Sequence, residues 1–171
     1  MSGGSGVLIQ AAGREFGVRV GRGTVTFNHT ASRVEASYGD QRTRLLLVKD
    51  GELEVCLISS DLLINSLPIS DVIRETVGRI LRIDASHVVN FSTHNHSTVG
   101  LAVDRFEPYY ADLWRAWRRS GKCKLTPVGR EFMRELRGAA RALRGKLEAV
   151  DVCYGEGHED RISYNRKGRR A

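Results

Sequence analysis

The stretch from Leu45 to Ser92 constrains this chain more than any other part of it. Leu45-Leu46-Leu47-Val48 and Val55-Cys56-Leu57-Ile58 are continuous apolar runs. They are short enough for strands and apolar at every position, the pattern of strands in the middle of a covered sheet. Asp50-Gly51 lies between them and is a favoured hairpin turn, because glycine supplies the positive φ. Arg44–Val48 and Glu54–Ser59 are therefore expected to pair antiparallel. Ser70 or Asp71 can then cap a helix running to about Arg82, with Ile73, Val77, Ile80 and Leu81 on one face. His87–Ser92 reads as the next strand. Strand, helix and strand make a βαβ unit, whose right-handed crossover leaves its two strands parallel. The expected fold class is α/β: a mixed sheet with one parallel βαβ unit and helices packed on it.

The flanking sequence speaks less sharply. Val7–Gln10 reads as a short strand, and Val18–Phe27 alternates around Gly21 and Gly23 as a strand broken by a bulge or turn. Residues 28–42 hold turn formers without a period and are expected to be a loop. Pro108 can open a helix ending at Gly121, with Tyr110, Leu113, Trp114 and Trp117 as its stripe. Thr126 caps another that Pro127 opens, with Val128, Phe132, Leu136, Ala140, Leu143 and Leu147 facing inward. Val150–Tyr154 and Arg161–Asn165 are expected to be strands.

The 171 residues suit a single α/β domain spanning 1–171, with a Gly/Ser-rich flexible start (1–6) and a basic tail (167–171). Such a chain buries a core without disulfides. Cys56, Cys123 and Cys153 are odd in number and far apart, so they read as reduced thiols. The N-terminus lacks the basic-then-apolar order of a secretion signal, and no apolar run approaches the ~20 residues that span a bilayer. A cytoplasmic protein without a membrane span is the expectation.

Chemistry concentrates at one edge. In a βαβ unit both strands end on the same side, where open α/β sheets bind their ligands. Asp61 follows the first strand; Thr93-His94-Asn95-His96-Ser97 follows the second. On extended backbone His94 and His96, at i and i+2, face one side and can reach one metal ion. An alternative is a pair that is only hydrogen-bonded.

The segment Ser92-Thr93-His94-Asn95-His96-Ser97 resembles the "THTHS" segment of the neutral/alkaline, non-lysosomal ceramidase family. Ser59-Ser60-Asp61-Leu62 is similar to that family's strand end "S-x-D-L", and Gly155-Glu156-Gly157 with Ile162-Ser163-Tyr164-Asn165-Arg166 to its "GxG…NRR" stretch. The resemblance runs over roughly residues 40–167. It implies a zinc-dependent hydrolase of an amide bond, with zinc (or a similar divalent metal) as cofactor and a small-molecule or lipid-like amide as substrate. It implies that His94 binds the metal, that His96 contacts the substrate's carbonyl region, and that Arg166 stabilises charge there. Zinc lowers the pKa of a bound water toward 7 and polarises the carbonyl, while a cation supports the oxyanion. Thr98-Val99-Gly100 stands where the family is rich in glycine and proline, and residues 7–40 lack its N-terminal pattern. The family's remaining zinc ligands lie beyond the matched region. A catalytic zinc takes three protein ligands, so further ligands are expected from Asp61, His158 or Glu159, or from a second subunit of a homo-oligomer. A non-catalytic binding or assembly protein of the same fold is the alternative.

The formal net charge is +7, which raises the question of an anionic partner. Arg130, Arg134, Arg137, Arg141 and Arg144 are spaced four, three, four and three apart, on one helix face. A solvated outer face is the first reading, helped by pairs such as Glu131 with Arg134. A phosphate-tracking nucleic-acid surface is the other.

Overall fold

The structure is a computed structural model that describes residues 8–18, 23–27, 30–34, 40–62, 67–95, 101 and 125–158. In chain order these form β1 (Gln10–Val18), β2 (Gly23–Phe27), β3 (Thr30–Val34), β4 (Gln41–Asp50), β5 (Leu53–Ser60), α1 (Leu67–Leu81), β6 (Val88–Ser92), α2 (Pro127–Leu143) and β7 (Glu148–Ala149). Five strands make one mixed sheet in the order β6-β5-β4-β1-β7. β5 and β6 are parallel, with Ser60 opposite Ser92, and the other pairs are antiparallel. The expected βαβ unit and α/β class are both present.

The hairpin turn lies one residue later than the Asp50-Gly51 signal suggests. Asp50 pairs with Leu53, so Gly51 and Glu52 form the loop, and Gly51 has a φ of 58°. Positive φ at the first loop position is what a type II′ turn requires, and glycine meets it without strain.

α1 begins at Leu67, so Ser70 and Asp71 are inside the helix and do not cap it. Pro68 suits a first turn, where a missing N–H costs nothing. Its far end is closed by Arg82 at a φ of 56°, while the Ile83 N–H donates to the Gly78 carbonyl at 3.0 Å. This is the left-handed cap of a Schellman motif. At α2 the reading holds: Thr126 is the N-cap, its hydroxyl accepts from the Gly129 N–H at 3.0 Å, and Pro127 opens the helix.

One core joins sheet and helices. Leu45, Leu47, Cys56, Ile58 and Val88 point from the sheet toward Ile73, Val77 and Leu81 of α1 and Phe132, Met133, Leu136, Ala140 and Leu143 of α2. Phe16 of β1 meets Phe132 edge-on, with ring centres 5.5 Å apart. A continuous apolar run nevertheless does not mean a strand covered on both faces here. β4 alternates strictly from Gln41 to Leu47: Leu47 is fully buried while Leu46 is 40% exposed. Val89 and Phe91 on β6 are about half exposed on the same outward side.

Three other expectations change. Residues 28–42 are not a loop throughout, because β3 pairs with β2 from Thr30 to Val34 and β4 starts at Gln41. The first strand is not confined to Val7–Gln10; β1 runs to Val18 and pairs with β4 from Lys49 to Gln41. Val150–Tyr154 is not a strand. Pairing stops at Ala149 after two residues, and Val152 and Tyr154 are 69% and 85% exposed. Alternation alone makes no strand where the sheet offers no further partner. The helix expected over 108–121 and the strand over 161–165 lie outside the described residues.

Candidate functional site

The parallel pair β5–β6 ends with Ser60 beside Ser92, and the chain beyond each strand stays tied to the other. The Thr93 N–H donates to the Ser60 carbonyl and the Asn95 N–H to the Leu62 carbonyl, both at 3.0 Å. His94 lies between these two anchors. Its φ is 63°, in the left-handed region that costs a residue bearing a Cβ about 1–2 kcal/mol. Arg82 shares that conformation but closes a helix. His94 closes none, so the anchors on either side of it hold the strain.

Asp61 sits opposite Thr93 in the extended register. Its N–H donates to the Arg42 carbonyl at 2.8 Å, and its carbonyl accepts from the Gln41 amide at 3.4 Å. Its carboxylate accepts from the Thr93 hydroxyl at 3.3 Å. Buried Leu62 follows, with its N–H bent back to the Ser60 carbonyl at 2.8 Å. Asp61 and the residue before His94 are thus one hydrogen-bonded unit spanning the strand ends.

Beneath this edge the sheet carries buried polar groups. Thr43 donates to Ser60 between hydroxyls at 3.1 Å, and the Ser70 hydroxyl of α1 donates to Asn90 Oδ1 at 2.9 Å. Ser92 Oγ and Asn90 Nδ2 are buried and have no hydrogen-bond partner among the described residues. Polar atoms so placed usually find a partner, and both lie on the last turn of strand before Thr93 and His94.

The expected alternation of His94 with His96 required extended backbone, and the left-handed turn at His94 removes that premise. His96 itself lies outside the described residues, as do Arg166 and Glu159. His158 ends the exposed segment 151–158, where the Tyr154 hydroxyl bonds to Glu156. Among the described residues no three His, Cys, Asp or Glu side chains converge to hold a metal ion. Sequence reasoning missed Thr93 as the partner of Asp61. Its signal was the register: a parallel pair ending at Ser60 and Ser92 puts the next residues opposite each other.

Among solved structures the fold is similar to the neutral ceramidase of Pseudomonas aeruginosa, with a TM-score of 0.55 and 10% sequence identity over 84% of this chain. It is similar also to a ceramidase complexed with C2, with a TM-score of 0.54 and 12% identity. The chain spans 22% of the length of each of those proteins. At such identity the likeness is one of fold. No protein family matches, and no curated protein matches. Among the described residues no helix is long and apolar enough to cross a membrane.

Proposed function

We propose that the edge formed by Asp61 and Thr93–Asn95 is one side of the metal site of an amide-bond hydrolase with a ceramidase-like fold, or of a reduced relative of one. The observation that carries this reading is His94, held in a strained left-handed turn at the end of a parallel strand and beside the Asp61–Thr93 unit. Strain of this kind persists where the surroundings impose it, and it gathers at functional sites. The end of parallel strands is also where α/β sheets bind ligands. His94 would be a ligand of zinc or a similar divalent ion, with His96 and Arg166 toward the substrate's carbonyl region. Asp61 would be held by Thr93 close to that centre. The substrate class is a small or lipid-like amide.

The described residues do not by themselves suffice for a catalytic zinc, which takes three protein ligands and an open position. In this reading the rest come from residues beyond those described or from a second subunit. A second reading is a non-catalytic binding or assembly protein that keeps the fold.

The experiment is elemental analysis of protein purified without chelators, beside a turnover assay on N-acyl substrates of increasing chain length. Stoichiometric zinc that His94→Ala abolishes, with hydrolysis lost in parallel, supports the hydrolase. Metal without turnover moves the assignment to the second reading. Metal-free protein, or His94→Ala with unchanged metal content, overturns the site.

A further inference from the structure

We propose that the outer face of α2 docks the phosphate backbone of a duplex nucleic acid, without regard to base sequence. At 100° per residue, Arg130, Arg134, Arg137, Arg141 and Arg144 fall within about 80° of arc on this helix and its 3₁₀ extension. All five are exposed. The opposite face of α2 (Phe132, Leu136, Ala140 and Leu143) is locked in the core, so the arginine row is permanently presented. From residue 130 to 146 six cationic side chains stand against Glu131 and Glu135, a net +4 of the chain's +7.

Among the described residues, the arginines of this row divide into those with a carboxylate partner and those without. Arg134 pairs with Glu131 at 3.6 Å and Glu135 at 2.9 Å. Arg144 pairs with Glu54 at 2.9 Å. The Arg130 guanidinium donates to the Leu125 carbonyl at 3.1 Å and has no ion pair among the described residues. Arg137 and Arg141, one turn apart, have no partner there at all. Like charges at this spacing oppose the helix; an external anion would offset them. Arg130 to Arg141 spans about 16 Å of helix rise, the axial length of about five phosphates on one DNA strand. The planar guanidinium grips phosphate oxygens two at a time. A nucleic acid fits better than a lipid surface, because the apolar face of α2 is buried and cannot insert into a membrane. No aromatic residue lies on the outer face, so bases are not stacked and sequence is not read.

The test is fluorescence anisotropy of the full chain with a labelled 20-base-pair duplex. With Arg130, Arg137 and Arg141 on phosphates, affinity falls about 40-fold between 50 and 200 mM salt. Arg137→Ala/Arg141→Ala binds more weakly, and its affinity falls only about 3.5-fold over that range. Arg79→Ala/Arg82→Ala, which removes equal charge from the end of α1, keeps the full salt dependence. Three results would overturn the proposal: no binding at 50 mM salt, equal loss in both double variants, or tighter binding to phosphatidylserine vesicles than to the duplex. Metal content and hydrolysis are unaffected by Arg137→Ala/Arg141→Ala, so this surface stands or falls apart from the His94 site.

Discussion

Gly129→Ala should destabilise the protein although alanine is the better helix former. Gly129 is in the first turn of α2, where a Cβ would lie 1.9 Å from the Leu101 carbonyl oxygen and 2.8 Å from its carbon. Both are backbone atoms, so no side-chain rotation relieves the clash. Leu101 would have to retreat by about 1.5 Å to restore ordinary contact near 3.5 Å. Its carbonyl accepts from the Thr126 N–H at 2.9 Å and the Thr126 hydroxyl at 3.1 Å, and its side chain is 3% exposed. Retreat sacrifices two hydrogen bonds at about 1 kcal/mol each and part of a leucine burial worth about 1.5–3 kcal/mol. The gain in helix propensity offsets at most about 1 kcal/mol. The net expectation is a loss of about 3 kcal/mol, read from urea unfolding. Gly138→Ala on the same helix is the control: nothing lies within 4 Å of its Cβ, and it should stabilise by about 0.5–1 kcal/mol. If Gly129→Ala stays within about 0.5 kcal/mol of the parent, the range of an ordinary surface change, then Leu101 does not seal the start of α2 as argued.

Burial pushes the Cys56 thiol up to about 12, whereas Cys153 is exposed. Because the thiolate is the nucleophile, iodoacetamide at pH 8 should label Cys153 in the native protein and Cys56 only after denaturation. Peptide mapping checks this, and native labelling of Cys56 would contradict the packing of β5. Hydrogen bonds from the Ser86 side chain and backbone N–H hold the Asp84 carboxyl below its usual value. A lowered folded pKa gives stability that is complete above the unfolded value near 3.9 and lost as pH falls through the folded one. Asp84→Asn, which can still cap the 3₁₀ turn at Ala85–His87, should flatten that part of the acid limb in urea midpoints between pH 7 and 2. An unchanged acid limb would mean that Asp84 contributes nothing to it.

The candidate site was half legible. That His94 and Asp61 follow neighbouring parallel strands came from counting elements, because a short crossover helix leaves few alternatives. The conformation of His94 was not legible. Histidine carries no signal for positive φ comparable to glycine's, and the turn is imposed by Thr93 and Asn95 bonding to the backbone of Ser60 and Leu62. That Arg137 and Arg141 find no carboxylate among the described residues was hidden for a similar reason, since it depends on which side chains the fold brings near them.

Local rules written in the residues settled the βαβ unit, the Thr126-Pro127 start of α2 and the inward stripes of both helices. Periodicity and caps act over one or two turns of chain and need no distant partner. Folding alone decided that β1 lies against β4, that β2 and β3 pair, that the two described helices share one core with the sheet, and that Gly129 touches the backbone of Leu101. Each of these joins groups far apart along the chain. Strand pairing and close approach take their energy from whichever neighbour the whole structure brings near.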